Sequence, residues 1–325
     1  MTLVLSSRKL VDRGVTRKGR EHLLRCCLEP VLRGVYRINR ECRRHSQTSD
    51  LLDKKDLTVL KRLASGSPVV RDKLMRTVLI HAFEVSPQRD AVAARGTWFY
   101  SHRTAAHLLG LESALPSAPT IDVTRPGRNQ SSGVVRWFGM DEISPGHMVE
   151  VGGRAMTSIA RTCLDIGADE GLKLGLPMAD AAIRAEKLER VDLESCLVDH
   201  PRAHRRDVRA VAALASGLSE SVGESLTRVA LHRLGIVDQW GQQVWIETDI
   251  GRRRIDFANH STRVALEFDG YGKYFEKTPE GRASLKEQYR RDQALLRAGW
   301  FPVHVDWETV LDLDLFRRTL QNARK

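Results

Sequence analysis

Apolar positions recur over residues 6–27 in two short helical stretches around a turn. Ser6 or Ser7 can cap the first, Gly14 ends it, and Thr16 can cap the second, whose apolar side is Leu23, Leu24, Cys27 and Leu28. A β-like segment follows over 31–38 with Gly34 inside it, and residues 43–56 are polar enough to read as a linker or an exposed helix start. Helical periodicity returns over 57–63 and 73–83, and Ser101 caps a further helix closed by Gly110. Strands are expected at 120–124, 134–138 and 147–151, with Gly152-Gly153 as a hairpin-type turn. From 158 to 214 the pattern is helical again, in segments 158–167, 178–187, 189–198 and 205–214.

The last third is the most informative. A helix over 222–234 ends at Gly235, strands follow at 243–248, 253–258 and 262–269, and a helix leads to a final strand at 303–307. Strand alternation puts Ile255, Phe257, Val264, Leu266 and Phe268 on one side of a hairpin. Arg254, Asp256, Ala258, Ala265, Glu267 and Asp269 then face the other way. Three carboxylates on one face raise each other's pKa and oppose folding unless something positive neutralises them. A divalent cation does this naturally, and Mg2+ (or Mn2+) takes carboxylate oxygens together with water and phosphate. The bland alternative pairs these acids with Arg252, Arg253, Arg254 or Arg263.

Charge sharpens the picture at the other end. Residues 1–50 hold 12 Lys/Arg against 5 Asp/Glu, whereas residues 220–325 hold 17 against 16. A basic block of this kind suits a phosphate-bearing partner such as DNA, although a solvated basic surface has the same composition. Helix, turn, helix and a β wing, with Arg17, Lys18 and Arg20 on the second helix and Arg33 and Arg37 on the wing, is the layout of a winged helix-turn-helix. The five cysteines form no CxxC pair and none lies in the last third, which argues against a zinc ribbon or a disulfide framework and fits a reducing cytoplasm. No stretch approaches the length of a membrane span, so a cytoplasmic protein is expected. His81, His102, His107 and His147 lack ligand spacing and read as structural.

The run Arg254-Ile-Asp256-Phe, with Val264-Ala-Leu-Glu267-Phe-Asp269-Gly270-Tyr-Gly-Lys273-Tyr274, resembles the DUF559/Vsr-like branch of the PD-(D/E)XK nucleases. Ser221-Val-Gly-Glu224-Ser-Leu-Thr-Arg228 resembles the first-helix motif of that branch, and Tyr289-Arg-Arg291-Asp292 with Leu295 to Trp300 its helix–Gly–strand ending. The likeness covers about residues 219–310. More loosely, residues 1–170 resemble AbiEi-like antitoxin regions, through Leu32-Arg-Gly34-Val-Tyr36, Ser101-His-Arg-Thr-Ala-Ala and Thr157-Ser-Ile-Ala-Arg161-Thr. The fold class expected is therefore mixed α/β, in three regions. These are a winged helix-turn-helix over 1–45, a mixed α+β connecting region over 46–218, and a restriction-endonuclease-like domain with a central mixed sheet over 219–325.

The resemblance implies a metal-dependent DNA endonuclease, with a role in defence against foreign DNA. Asp256, Glu267 and the carbonyl of Phe268 would hold Mg2+ (or Mn2+), with Glu224 and Asp269 joining the site. Where the family commonly has Glu-x-Lys, this chain has Glu267-Phe-Asp269, so the lysine would be Lys273. The rival reading is an inactive, antitoxin-like DNA-binding regulator. Several residues have bland roles open to them: Ser221 and Glu224 also fit a capping box, Arg228 can pair with Glu224, and Arg290 and Arg291 can contact phosphate or simply face solvent. Asp292 can pin its helix to the sheet, and Trp300 and Trp307 read as core aromatics. A homodimer, or a helicase or other defence partner, is compatible with this reading.

Overall fold

The computed structural model describes residues 3–94, 96–111, 118–140, 143–270 and 279–323. It is a mixed α/β chain in two compact units, Met1–Ile166 and Gly167–Lys325. No helix among the described residues is long and apolar enough to cross a membrane.

The first unit opens with β1 (Val4–Ser6) and the helices Ser7–Asp12 and Arg17–Leu24. Ser6 Oγ accepts from Lys9 N (3.2 Å) and Thr16 Oγ1 from Gly19 N (3.1 Å), so both expected caps form. β2 (Leu28–Leu32) and β3 (Val35–Ile38) make a hairpin that turns at Gly34, where φ is +76°, and β1 pairs with β3. Of the two roles expected for residues 43–56, a linker or a helix start, the second is seen: they include the short helix Ser46–Ser49 and the start of the helix Lys54–Ser65, capped by Asp53. A second sheet runs in the order β6 (Gln130–Ser132), β7 (Val135–Gly139), β5 (Ile121–Arg125), β4 (Phe99–Tyr100), β9 (Arg154–Thr157), β8 (Met148–Val151).

One apolar core, from Leu3 and Leu28 through Phe83 and Ile121 to Met156, serves both sheets. The N-terminal segment shares that core, and the compact unit runs on past residue 45 to Ile166. Within this unit Asp122 is fully buried. Its carboxylate accepts from Arg136 Nε (2.7 Å) and Nη2 (2.9 Å), Thr120 Oγ1 (2.9 Å) and Arg103 N (3.1 Å).

The second unit carries one four-stranded mixed sheet, β10 (Gly241–Ile246), β11 (Arg253–Asn259), β12 (Val264–Phe268) and β13 (Phe301–Val305). β10, β11 and β12 are antiparallel, while β13 lies parallel to β12 after a crossover through the helix Pro279–Arg297. One cluster joins Leu226, Leu231, Phe257, Leu266, Val305 and Phe316, and a second joins Ile246, Ile255, Ala258, Ala265, Leu295 and Trp300. The sheet is thus covered on both faces, and Trp300 is core as expected.

The helix Leu172–Arg184 starts six residues before the expected 178, with Pro177 inside it. It packs against the helices Arg206–Leu214 and Val222–Arg233, so the second unit takes in residues assigned from sequence to the middle region. Close approach fixes this packing: a Cβ on Gly175 would stand 2.9 Å from the Gly167 backbone and from Val211 Cγ2.

Candidate active site

β11 and β12 bring Asp256 and Glu267 together. Their register pairs Phe257 with Leu266 and Ala258 with Ala265, which makes the two acids the next position along the hairpin. There the ladder changes character, because Phe268 N–H donates to Asp256 Oδ2 (3.0 Å). On the other side of β11, the β10 residue Gln243 has φ +54°, a left-handed conformation uncommon for a non-glycine residue. Strict alternation fails beside this irregularity: Ile255 joins Ala258 and Ala265 in its core cluster, not Phe257 and Leu266.

The helix Val222–Arg233 supplies the third acid. Ser221 Oγ accepts from Glu224 N (3.2 Å) and donates to Glu224 Oε1 (2.8 Å), while Glu224 Oε2 accepts from Glu220 N (2.8 Å) and Gln243 Nε2 (2.9 Å). Ser221 therefore caps the helix, while the Glu224 carboxylate takes the N–H of Glu220, just before the cap, and ties the helix to β10. Arg228 does not pair with Glu224. It forms a buried ion pair with Asp180, and its Nη1 donates to Gln242 Oε1 (3.1 Å). Asp180 also accepts from Ser225 Oγ (2.6 Å) and Ser216 N (2.9 Å), so it anchors the helix that carries Glu224. The same helix can approach β12 only because residue 223 lacks a side chain: a Cβ there would fall 2.0 Å from the Phe268 ring. That ring also meets Trp307 edge-on, with centroids 5.2 Å apart.

Across the sheet, β13 places His304 beside Glu267. His304 Nδ1 lies 2.9 Å from Asp269 Oδ2 and Nε2 lies 3.2 Å from Asp292 Oδ1. Arg291, on the helix Pro279–Arg297, forms an ion pair with Glu267 and donates to Arg254 O (2.5 Å). Arg291 thus belongs to the acidic site, while Arg290 is exposed and lies 3.8 Å from Glu287.

The electrostatics follow from burial and crowding. Burial pushes the Glu267 carboxyl up; Arg291 opposes this, Asp256 and Asp269 add to it, and the balance is about 6. Burial also raises Asp256, against the opposing Phe268 N–H and Arg291. Glu224 is raised by burial first and then by the charge of Asp256, partly offset by the Glu220 N–H. For His304, burial would push the imidazole down, but the Asp269 hydrogen bond and the Asp269, Asp292 and Glu267 charges more than offset it and hold it at about 9. His304 is consequently a cation at neutral pH, with both nitrogens donating.

Donor atoms of Glu267, Asp292 and His304 all lie within 4.8 Å of one another. Without a metal, the protonated His304 holds this trio together by ion pairs, and a metal ion binding there would displace its proton. Hard oxygen donors for a divalent cation are offered by Asp256 and Glu267, which fit the preference of Mg2+ or Mn2+. Lys273 lies outside the described residues.

At the N-terminus, Arg17 is almost fully exposed, 3.9 Å from Glu21, and Lys18 and Arg33 are exposed. Arg20 lies over the Tyr36 ring at 5.8 Å, and Arg37 is held by Glu29 (2.6 Å), which neutralises it locally. Sequence reasoning passed over His304, Gln243 and Asp180. A histidine alternating with Val303 and Val305 on the last strand was the one signal in the sequence for the first. Neither a protein-family model nor a curated protein sequence matches the chain.

Proposed function

We propose that the second unit is a metal-dependent nuclease domain of the PD-(D/E)XK kind, acting on DNA, and that the N-terminal helices with the β2–β3 hairpin act as a winged helix-turn-helix that grips the duplex. One observation carries the reading: Asp256 and Glu267 sit on adjacent strands, the first half-buried and the second buried, with both carboxyls pushed above their ordinary values. Nature rarely buries two acids side by side without a task for them, and raised carboxyls in one place mark functional sites more often than structural ones. The helix, three antiparallel strands, helix and parallel strand of this unit also give the central mixed sheet that the motif resemblance implies.

Asp256 and Glu267 would hold the cation, whose chemistry is to polarise a phosphate and make bound water more acidic. The chain's own residues do the rest. Glu224 sets the position of its helix end against β10. Arg291 now pairs with Glu267; with that carboxylate holding a cation it would be free, and its guanidinium suits a phosphate oxygen. Arg291 Nε is buried without a partner among the described residues, a donor left over for such an anion. The His304 cation fixes Asp269 and Asp292 and lends positive charge where negative charge builds up in phosphoryl transfer.

A second reading rests on the same pair. Arg291 on Glu267 and His304 on Asp269 supply internal counter-charges, the arrangement expected of a nuclease fold retained for binding alone, as in an antitoxin-like regulator. Incubation of the purified chain with plasmid, linear and single-stranded DNA and with RNA, with and without Mg2+ or Mn2+, separates the two. Metal-dependent cleavage supports the nuclease; DNA binding with no cleavage under any condition supports the regulator.

A further inference from the structure

Three cysteines and a histidine, scattered in sequence as Cys26, Cys27, Cys42 and His45, meet in the first unit. The turn that closes the helix Arg17–Leu24 carries the first two, with Cys26 N and Cys27 N both donating to Leu23 O (3.0 and 2.9 Å). The loop after β3 carries the other two, and Asn39 N donating to Cys27 O (3.0 Å) draws the two segments together. Cys26 Sγ stands 3.5 Å from Cys42 Sγ, and His45 Nδ1 stands 3.5 Å from Cys27 Sγ and 3.3 Å from Cys42 Sγ. All four donor atoms lie within 4.8 Å of one another.

We infer that Cys26, Cys27, Cys42 and His45 form a structural zinc site that fastens the end of the basic helix to the loop after β3. Tetrahedral zinc, with Zn–S near 2.3 Å and Zn–N near 2.0–2.1 Å, separates two sulfurs by about 3.8 Å and a sulfur from a nitrogen by about 3.5 Å. The donors already stand close to that spacing. Three thiolates and one imidazole select a borderline-soft ion over Mg2+ or Ca2+, and four protein ligands leave no open position, the mark of a structural site. Charge also balances: three thiolates around a dication leave one negative charge, and Arg40 Nη2 donates to Cys26 Sγ (3.2 Å). Thr48 Oγ1, fully buried, lies 3.3 Å from Cys27 Sγ, and the Thr48 and Ser49 hydroxyls donate to His45 O, which holds the histidine's backbone in place.

A disulfide between Cys26 and Cys42 is the competing chemistry, but it leaves the convergence of Cys27 and His45 without a purpose. The inference is independent of the nuclease reading, because no thiol lies in the acidic site.

The test uses the full chain, alkylated at lysis in one aliquot and purified in the presence of a thiol reductant in the other. One equivalent of zinc should copurify with the reduced aliquot by elemental mass spectrometry. Exchange with Co2+ should produce visible tetrahedral bands together with near-ultraviolet thiolate-to-cobalt charge-transfer bands, the latter of which the acidic site cannot give. Cys42→Ser and His45→Ala should lose the zinc, while Cys196→Ser keeps it. Wild-type protein that copurifies without zinc and gives no charge-transfer band with cobalt overturns the inference, whatever the variants do. A Cys26–Cys42 disulfide in the alkylated aliquot overturns it as well.

Discussion

Two buried carboxylates, one in each unit, meet opposite fates. Asp122 is fully buried and Glu267 nearly so, and burial is the largest influence on each, pushing both upward. Around Asp122, a bidentate Arg136, helped by the nearby His102 and Arg76, outweighs burial and holds its carboxyl below the usual range. Around Glu267, burial and the like charges of Asp256 and Asp269 outweigh Arg291 and the His304 cation, and the carboxyl stays up at about 6. Burial by itself says nothing about function. What separates the structural acid from the candidate catalytic one is whether the protein itself completes the neutralisation.

The sharpest way to break this contrast is to remove the acids. Asp256→Ala and Glu267→Ala should each abolish metal-dependent cleavage and leave DNA binding nearly intact in a mobility-shift assay. Wild-type cleavage rates in either variant would take these acids out of the mechanism. Asp122→Ala should do the reverse. It leaves Arg136 and its neighbours facing an empty buried site, a loss of about 3–5 kcal/mol in denaturant unfolding. Cleavage per folded molecule should stay unchanged, and a specific loss of rate would make Asp122 more than structural.

Titration gives a smaller, signed effect. Glu267 must be ionised to hold a cation, so cleavage should fall about tenfold per pH unit below about 6. Because its folded value lies above the ordinary 4.5, ionising it costs stability. The wild type should therefore lose ground to Glu267→Gln as the pH rises from 4.5 to about 6, as read from paired unfolding curves. Asp122 has the opposite sign. Its contribution is present above the usual carboxylate range and is lost only as the pH falls through its lowered value. Arg291→Ala, which removes the cation beside Glu267, should move the acid limb of the cleavage profile upward; an unmoved limb would mean Glu267 does not set it.

The mildest effect is expected from the basic helix. Replacing Arg17, Lys18 and Arg20 together should weaken binding and lower the log–log salt slope by about 0.9 for every phosphate these side chains neutralise. An unchanged slope would leave the helix as ordinary solvated surface.

Local pattern made much of this legible. Both N-terminal caps and the acid-bearing strands of the last third follow from spacing over a few residues, whereas Gly34, expected inside one β-like segment, turns a hairpin between two strands. What spacing missed is mostly long-range. Arg228 has a natural partner one turn away in Glu224, yet it pairs with Asp180, 48 residues earlier. The join at residue 45 reads as a linker because its polarity is local, while its apolar residues belong to a core that runs on to Met156. Ile255 changes cluster beside the left-handed Gln243, a twist that alternation cannot express. The thiol cluster carries no CxxC spacing, and only Cys42-x-x-His45 hints at it.

The parallel pairing of β12 with β13 also sets an order of events during synthesis. A chain that has emerged from the ribosome only as far as Phe268 already has the Asp256 and Glu267 hairpin, but Arg291, Asp292 and His304 are still to be made. Closing that crossover is a non-local, slow kind of pairing to form. Two acids without their cations repel each other until it closes. The nascent hairpin is thus held back from a tightly paired state, and the complete constellation exists only on a chain translated through Val305. Prematurely terminated products would carry the acids but lack the guanidinium and imidazolium, so an interrupted translation yields no assembled copy of the site.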